Sequence, residues 1–212
     1  MPRVSFDITT SLDGFVAGPD PGPDQPLGKG GEELHEWAFA LAAWQEQHGR
    51  AGGERNADDE VVRGRLEATG AEIMGRGKFG GGPGPWDESW KGWWGEEPPF
   101  RHPVFVLTHQ PREPVRFENG TSFTFVTDGI ESALEQARAA AGDRDVLVGG
   151  GADVGRQYLN AGLLDEVELH VVPLILGGGI RLFEGMDPDR KLEIDRVVAS
   201  PAVTHLRYRV VK

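Results

Sequence analysis

The sequence predicts an α/β fold of three layers, in which helices flank a mostly parallel central sheet that ends in an antiparallel hairpin. Strand-like apolar segments alternate with segments of helical periodicity along most of the 212 residues, and this alternation favours parallel strands joined by helices. Residues 196–200 and 203–211 are both strand-like and are separated by a turn at Pro201, which favours an antiparallel pair. Since the chain has no internal repeat and no linker-like stretch, we expect one domain over residues 1–212.

The first elements follow from local patterns. Residues 4–9 alternate as a strand does, the next residues form a turn signal, and 15–17 are again extended. Four prolines and five glycines predict a loop over 18–31. Apolar residues at helical spacing predict one amphipathic helix over about 32–48. Asn56 can cap a second helix, whose first turn would carry three acidic residues.

The later elements alternate more regularly. Short apolar segments predict strands at 71–75, 104–108, 123–126, 145–148 and 166–172. Apolar residues three and four apart predict helices over 130–141 and 154–161. The segment 80–103, rich in glycine, proline and tryptophan, is predicted to be irregular.

Composition excludes several classes of function. The 34 acidic and 22 basic residues give a net charge of −12 without a basic stripe, which argues against a nucleic-acid partner. The absence of cysteine excludes disulfides, thiolate metal sites and cysteine nucleophiles. No apolar run approaches a membrane span, and no signal pattern opens the chain, so we expect a cytoplasmic protein. Histidine and carboxylate spacings predict no metal site.

The glycine triplet Gly149–Gly151 connects a predicted strand to a predicted helix. Such a turn directs backbone N–H groups and a helix N-terminus at one point, which favours an anion. The alternative is a tight turn that needs glycine for its backbone angles. Two standard phosphate motifs fail, since Val154 stands where the dinucleotide motif needs glycine and Phe79 where a P-loop needs serine or threonine.

Basic and polar residues follow two other predicted strands. Arg76 and Lys78 come just after strand 71–75, and Thr108 and His109 end strand 104–108. Because ligands of open α/β sheets bind at the carboxyl ends of the strands, these groups are expected at one edge with the glycine triplet. For Arg76 and Lys78 alone, a solvated surface pair is the alternative.

These segments together resemble the dihydrofolate reductase-like superfamily, which includes the reductase domain of riboflavin biosynthesis. The motifs that carry the resemblance are Ser11-Leu12-Asp13-Gly14, Ile73-Met74-Gly75-Arg76, Val106-Leu107-Thr108, Gly149-Gly150-Gly151, and Leu164-Asp165-Glu166 leading to Pro173-Leu174-Ile175-Leu176-Gly177-Gly178-Gly179. The similarity runs from residue 4 to about residue 210. It implies a dihydrofolate reductase-like fold with NADPH lying across the strand ends.

The resemblance also implies which positions bind the cofactor. The pyrophosphate would lie on Gly149, Gly150, Gly151, Ala152 and Asp153, with a cis peptide expected at Gly149–Gly150. The adenosine-side phosphates would meet Gly75, Arg76, Gly77 and Lys78, and the 2′-phosphate and adenine would lie between Thr108 and His109. The nicotinamide would border Thr9, Val16 and Ala17.

Fewer residues are predicted to bind the substrate than to bind the cofactor. In dihydrofolate reductases a helix carboxylate lies 17 residues before the arginine that corresponds to Arg76, which makes Asp59 the candidate proton relay. Asp58 and Glu60 adjoin it, and the alternative for Asp59 is a charge favoured at a helix start. Asp13 and His170 are further substrate candidates, with an Asx turn and a structural histidine as their alternatives.

Four tryptophans lie within nine residues, and their role is open on sequence alone. Trp86, Trp90, Trp93 and Trp94 follow the arginine motif. They can stack on a planar substrate, for which Trp86 is the candidate, pin down a long loop, or form a dimer interface.

The resemblance implies an NADPH-dependent reductase that transfers hydride to a C=N or C=O bond of a small, heterocyclic substrate. The segment 18–56 and the residues 80–86 depart from the substrate loops of both dihydrofolate reductases and riboflavin reductases. Two alternatives therefore stay open: a non-catalytic nucleotide-binding protein with this fold, and a flavin-binding oxidoreductase. A homodimer is expected from the resemblance.

Overall fold

The computed structural model describes residues 2–22 and 24–212, so that Pro23, in the loop predicted over 18–31, lies outside the described residues. The strands are β1 (Val4–Ser11), β2 (Phe15–Ala17), β3 (Thr69–Gly75), β4 (Pro103–Leu107), β5 (Val115–Arg116), β6 (Ser122–Val126), β7 (Asp145–Val148), β8 (Glu166–Val172), β9 (Ile180–Arg181), β10 (Leu192–Ala199) and β11 (Thr204–Val210). The helices are a 3₁₀-helix (Gly31–His35), α1 (Glu36–Phe39), α2 (Ala42–Gln47), α3 (Ala57–Ala68), α4 (Arg76–Phe79), α5 (Ile130–Ala141) and α6 (Ala152–Asn160).

The central sheet has nine strands in the order β10-β11-β8-β1-β7-β3-β4-β6-β5. The six strands from β8 to β6 run parallel to one another. Antiparallel strands complete the sheet at both ends, with the β10–β11 hairpin beside β8 and the short β5 beside β6. The predicted α/β fold, with a mostly parallel sheet and an antiparallel C-terminal hairpin, is confirmed.

One face of the sheet is apolar and is covered by α5 and α6. Phe6, Ile73 and Val148 from three adjacent strands are fully buried there with residues of both helices. Gly155 of α6 lies so close to Phe6 that a Cβ atom would stand 2.2 Å from the ring. This close contact fixes α6, and with it the glycine turn that precedes it.

The opposite face is covered by two different structures. Over β3, β4 and β6, the irregular segment 80–103 packs its aromatic rings, including Trp86, Trp90 and Trp94, onto a buried cluster around Phe79 and Phe123. Over β1 and β8 lie α3 and the short helices that precede it. Packing of three tryptophans against this cluster favours the loop-pinning interpretation of the segment.

The prediction of a single helix over 32–48 is wrong. The chain forms three short helices there because Leu41 adopts an extended conformation. Its neighbours bond to a later segment instead: Ala42 N–H donates to Glu54 O at 2.8 Å, and Glu54 N–H donates to Ala40 O at 2.7 Å. Periodicity alone does not register such a competing backbone pairing.

Other predicted elements differ at their ends. The helix predicted over 154–161 begins two residues earlier, at Ala152, and α3 begins after Asn56, whose side chain accepts a hydrogen bond from Asp59 N–H as predicted. Helix α4 and the short strands β5 and β9 carry no sequence signal of their own. Among the described residues, none of the helices combines the length and the apolarity that crossing a membrane requires.

Candidate cofactor and substrate site

The carboxyl ends of adjacent parallel strands bring the predicted cofactor residues to one edge of the sheet. In the register of the sheet, Ile73 of β3 pairs with Val148 of β7, and Gly75 pairs with Leu107 of β4. The glycine triplet, Arg76 and Thr108 follow directly after these three strands. In the structure these three segments therefore lie at one edge of the sheet, as the sequence predicts.

The glycine turn is fixed by backbone hydrogen bonds to β3. Gly149 N–H donates to Ile73 O at 2.9 Å, and Gly75 N–H donates to Gly150 O at 3.0 Å. A Cβ atom on Gly151 would meet nothing within 4 Å, so space is open where α6 begins. The cis peptide lies at Gly150–Gly151 and not, as predicted, at Gly149–Gly150, because the β3 pairing already holds Gly149 as an extension of β7.

Lys78 points inward beneath this turn. Its Nζ lies 2.8 Å from Oε1 of Glu72 and 2.6 Å from the carbonyl oxygen of Gly149. A Cβ atom on Gly149 would stand 2.1 Å from Oε1 of Glu72. The turn thus requires glycine at position 149 because the buried carboxylate of Glu72, paired with the partly exposed Lys78, occupies the space of a side chain.

Glu72 is the buried partner of this pair. Burial raises the pKa of Glu72, but the Lys78 ammonium and then the nearby His102 ring lower it by more, to about 2. The carboxylate is therefore ionised throughout the physiological range. Sequence analysis missed Glu72, although a glutamate inside an otherwise apolar buried strand was a visible signal.

Arg76 stacks on the tryptophan-rich segment. Its guanidinium lies 3.7 Å from the ring centroid of Trp86 and donates to Gly84 O at 2.7 Å. Arg112 lies 5.2 Å from the same ring, with 2% of its side chain exposed. Among the described residues, Nε of Arg76 and Nη1 of Arg112 are buried without a hydrogen-bond partner, whereas Nε of Arg112 forms an ion pair with Oε2 of Glu88 at 3.4 Å. Burial and the Arg112 charge lower the pKa of Arg76, so an anion between the two arginines would be stabilised.

Thr108 and His109 lie at the end of β4 with different exposure. Thr108 is buried, and its Oγ1 accepts a hydrogen bond from Gln110 N–H at 3.1 Å. His109 is exposed. Trp86, the predicted substrate contact, donates through Nε1 to Gln110 O at 2.9 Å. The ring of Trp86 is therefore anchored beside the arginines, near the end of β4.

The predicted nicotinamide residues lie on β1 and β2. Thr9, Val16 and Ala17 are all buried, with 5–9% of each residue exposed. Asp13, in the turn between these strands, accepts hydrogen bonds from Ser11 Oγ at 2.7 Å and from Gly177 N–H at 2.8 Å. The Ser11 bond is the main reason why the pKa of Asp13 is lowered. These contacts join the turn to the segment after β8 and do not form an Asx turn, because Phe15 N–H donates to Ser11 Oγ at 2.9 Å and not to Asp13.

Two further predicted residues have mainly local or structural contacts. Asp153 is largely exposed and accepts a hydrogen bond from Gln157 Nε2 at 2.7 Å. Asp59 accepts from Ala43 N–H at 2.5 Å, and its other oxygen lies 3.3 Å from Nη2 of Arg63. Oδ1 of Asp59 thus connects α3 to the start of α2, whereas Oδ2 pairs with Arg63 within α3, and these contacts give no support to the predicted proton-relay role.

His170 belongs to a buried polar cluster on the α3 face of the sheet. Its Nε2 lies 2.9 Å from Oδ2 of Asp7, and its Nδ1 lies 2.6 Å from Nδ1 of His205. Nε2 of His205 lies 3.0 Å from Oδ1 of Asp58. Apart from His170, sequence analysis did not select these residues for a site, although each polar residue of β1 and β8 interrupts an apolar strand pattern.

Comparison with known proteins identifies the family and the fold. A family model described as the RibD C-terminal domain matches residues 2–206. The structure superposes on a putative riboflavin biosynthesis protein from Shewanella sp. PV-4 with a TM-score of 0.64 and 20% identity, over 99% of both chains. It also superposes on dihydrofolate reductase from Enterococcus faecalis complexed with NADP(H), with a TM-score of 0.53 and 13% identity, over 99% of this chain and 97% of that one. At such identities the superpositions show a common fold.

A curated relative matches over a shorter stretch. The uncharacterized protein YwjB of Bacillus subtilis (strain 168) is 27% identical over 71 residues, which cover 34% of this chain and 40% of that protein. The aligned stretch is thus less than half of that relative's length. Since the family model covers nearly the whole sequence, the chain belongs to the RibD C-terminal domain family, and the dihydrofolate reductase-like resemblance is confirmed.

Proposed function

From its membership of the RibD C-terminal domain family, we propose that the chain is an NADPH-dependent reductase of a small, heterocyclic C=N or C=O compound. The observation that carries the proposal is the succession of Gly149–Gly151, Arg76 and Thr108 after three adjacent parallel strands. Ligands of open α/β sheets bind at this edge. The dihydrofolate reductase with the same fold is a complex with NADP(H).

The residues of the edge fit a dinucleotide phosphate. Open space over Gly151 leaves the backbone and the start of α6 accessible to a pyrophosphate. Lys78 bonds the Gly149 carbonyl, which reduces the repulsion that this oxygen would exert on an anion. Nε of Arg76 and Nη1 of Arg112 are buried N–H groups without a hydrogen-bond partner in the described part of the chain. These two groups suit the additional 2′-phosphate of NADPH, and the largely exposed Glu88, which pairs with Nε of Arg112, leaves Nη1 of Arg112 available to it.

NADPH, when bound, supplies the hydride that reduces the substrate. The protein holds and orients the two reactants and keeps water away from them. Thr9, Val16 and Ala17 would border the nicotinamide ring, and His170 and the nearby Asp13 turn would lie on the substrate side. Substrates related to those named for the similar structures, pterins and uracils, are the first compounds to screen.

Calorimetric titration with NADPH and then NADH tests the cofactor assignment. We expect micromolar binding of NADPH and weaker binding of NADH. Arg76→Ala should weaken NADPH binding by about 10- to 100-fold, since a charge-assisted hydrogen bond contributes roughly 1.5 to 3 kcal/mol, and should leave NADH binding nearly unchanged. Arg50→Ala, which removes an exposed arginine elsewhere, is the control for lost charge. Failure of the wild-type protein to bind NADPH would overturn the proposal.

We also propose a homodimer that pairs through the closing hairpin. Strand β10 lies at the edge of the sheet and exposes 69% of Ile194 and 54% of Val197. Unpaired, apolar edge strands favour association. Light scattering at micromolar concentration should give twice the chain mass, and Ile194→Asp should give a monomer. A monomeric wild-type protein would contradict this assignment.

A further inference from the structure

A small pocket lies between α3 and the sheet, at the amino-terminal ends of the parallel strands. Its volume is about 190 Å³. Thr69 and Asp145, the first residues of β3 and β7, line one side of it, whereas the proposed cofactor edge lies beyond the last residues of these strands. Since a strand of the length of β3 rises roughly 20 Å, this α3 pocket is separate from the proposed cofactor site.

Charged side chains of neighbouring strands form the floor of the α3 pocket. In the register of the sheet, Asp7 of β1 stands opposite Glu168 of β8, and both residues are only 8% exposed. Because adjacent carboxylates repel each other, each of them needs a cation. Asp7 pairs with Arg65 of α3. Glu168 pairs with Arg196 of β10 at 2.7 Å.

The two arginines of these pairs keep unused hydrogen-bond donors. Nε of Arg65 and Nε of Arg196 are buried, and neither has a hydrogen-bond partner among the residues that the structure describes. A buried donor that has lost its bond to water costs free energy until an acceptor replaces the water. Both side chains line the α3 pocket, so an acceptor bound there can satisfy them.

Two glutamates of β8 supply acceptors to the same pocket. Oε1 of Glu166 accepts from Nη1 of Arg3 at 2.5 Å, and Oε1 of Glu168 accepts from Nη2 of Arg196 at 2.7 Å. Within the described part of the chain, no hydrogen bond reaches the other oxygen, Oε2, of either glutamate. Because Glu168 and Arg196 belong to one ion pair, the pocket presents an unused acceptor beside an unused donor.

Gly64 keeps the α3 pocket open on the side of the helix. The residue lines the pocket, and a Cβ atom on it would meet nothing within 4 Å. Glycine is unfavourable inside a helix, so its presence there needs a separate reason. Free space above the charged floor supplies one, because a larger side chain at this position would fill it.

The charges and the size of the pocket restrict what it can hold. Four arginines and four carboxylates line it, so their charges sum to zero and a bound anion or cation would add an uncompensated charge. A zwitterion adds none, and it brings both an acceptor for the arginines and donors for the glutamates. The pocket volume corresponds to about six water molecules at roughly 30 Å³ each, which is the size of an amino acid such as alanine.

We propose that the α3 pocket binds a small zwitterion, namely an α-amino acid with a short side chain. The carboxylate of the ligand accepts hydrogen bonds from Nε of Arg65 and Nε of Arg196. Its ammonium group donates to Oε2 of Glu166 and Oε2 of Glu168. An α-amino acid carries its two charges on one carbon atom, which matches the neighbouring donor and acceptor of the Arg196–Glu168 pair. The site does not depend on the proposed reduction.

Calorimetric titration of the wild-type protein with L-alanine tests the ligand class. We expect a dissociation constant of about 1 mM or tighter. L-lactate has a hydroxyl group in place of the ammonium group, and L-alaninamide lacks the carboxylate. Each should bind at least about 10-fold more weakly, since each loses charge-assisted hydrogen bonds. Absence of L-alanine binding would show that the pocket holds only water, and equal binding of L-lactate would show an anion site. Either result would overturn the proposal.

A charge variant separates a zwitterion site from an anion site. Glu166→Gln removes one negative charge from the pocket, so it should weaken L-alanine binding at least about 10-fold and strengthen L-lactate binding. Glu193→Gln, which changes an exposed glutamate of β10 in the same way, should alter neither. Tighter binding of both ligands to Glu166→Gln would contradict the proposal, because the ammonium group would then have no partner in the site.

A filling variant tests the location. Gly64→Leu should abolish L-alanine binding, whereas Glu67→Leu, which places the same side chain at an exposed position of α3 outside the pocket, should leave it unchanged. Thermal unfolding without ligand shows whether each variant is folded. If Gly64→Leu does not fold, the comparison of ligands on the wild-type protein and on Glu166→Gln still decides. Wild-type affinity in a folded Gly64→Leu protein would place the amino acid elsewhere and overturn the assignment.

Discussion

The two faces of the central sheet are covered in opposite ways. Under α5 and α6 the buried residues form a continuous apolar core, and Gly155 is in direct contact with the ring of Phe6. On the opposite face the buried residues include Asp7 and His170 beneath α3 and Glu72 beside Lys78. Residues of α3 and of the strands there also line a pocket of about 190 Å³.

This difference assigns different tasks to the two faces. Apolar burial contributes stability that does not depend on pH. Buried charges cost free energy and are retained only where they are paired. The α6 face therefore stabilises the fold and positions the glycine turn, whereas the opposite face carries paired charges whose contribution to stability depends on pH. Variants on each face should show this division.

The largest effect is expected from breaking the buried pair of Glu72 and Lys78. Lys78→Met leaves the Glu72 carboxylate buried without its main partner, which should cost about 4 kcal/mol of unfolding free energy at pH 7. In the wild-type protein the pKa of Glu72 is lowered to about 2. The stabilisation by the pair is therefore present above pH 4.5 and is lost as the pH falls from 4.5 towards 2.

The variant should show the opposite dependence on pH. Without Lys78, burial raises the pKa of Glu72, so protonation removes the unpaired charge and the deficit shrinks as the pH falls from 7 towards 5. Urea titrations at several pH values measure both curves. Adding Glu72→Gln to Lys78→Met should recover part of the loss at pH 7. A deficit that is independent of pH would show that packing, and not charge, connects β3 to the glycine turn.

The next largest effect is expected on the apolar face. Gly155→Ala would place a Cβ atom 2.2 Å from the ring of Phe6, and such overpacking should cost about 3 kcal/mol. Gly64 in α3 is the matched control, since a Cβ atom there meets nothing within 4 Å. Gly64→Ala should stabilise the protein by about 0.5 to 1 kcal/mol, the difference in helix propensity. Thermal unfolding measures the change in stability of both variants. Equal changes would show that α6 is not packed more closely against the sheet than α3.

The difference between the apolar and the charged face of the sheet also explains which elements could be predicted from the sequence. Apolar periodicity predicted β1, β4, β7, β8 and α5, because burial of one or both faces of these elements imposes it. The glycine triplet, Arg76 and Thr108 could be placed at one edge because parallel strands share a direction. The helix over 32–48 failed because pairing between Leu41 and Glu54 lies outside any local pattern.

The charged face escaped prediction for a related reason. Asp58 and His205 are 147 residues apart along the chain, and Asp7 and His170 are 163 apart. No local spacing connects such residues, since strand order alone brings them together. Asp58 and Asp59 also have different partners, because side chains of adjacent residues at the start of a helix point in different directions. A carboxylate or histidine inside a buried strand was the available signal, and it indicates a partner without identifying it.

The smallest effect that we expect to measure concerns His35, which ends the 3₁₀-helix beside the α3 face. Burial, the Lys78 charge and His170 lower the pKa of His35 to about 4. The unfolded chain therefore binds more protons than the folded chain between pH 6.5 and 4, and stability falls as the pH decreases through that window. His35→Gln should remove about 2 kcal/mol of the stability difference between pH 7 and pH 5.

Lys78 connects this prediction to the first one. Because the Lys78 charge is one cause of the lowered pKa, Lys78→Met should raise the pKa of His35 and move its titration towards pH 6.5. Proton resonance of the His35 ring during a pH titration follows this shift directly. If the His35 ring of the wild-type protein titrates near pH 6.5, the value of an unperturbed histidine, the short helices do not bury it against the charged face. The comparison between the two faces would then hold for α3 and not for the helices that precede it.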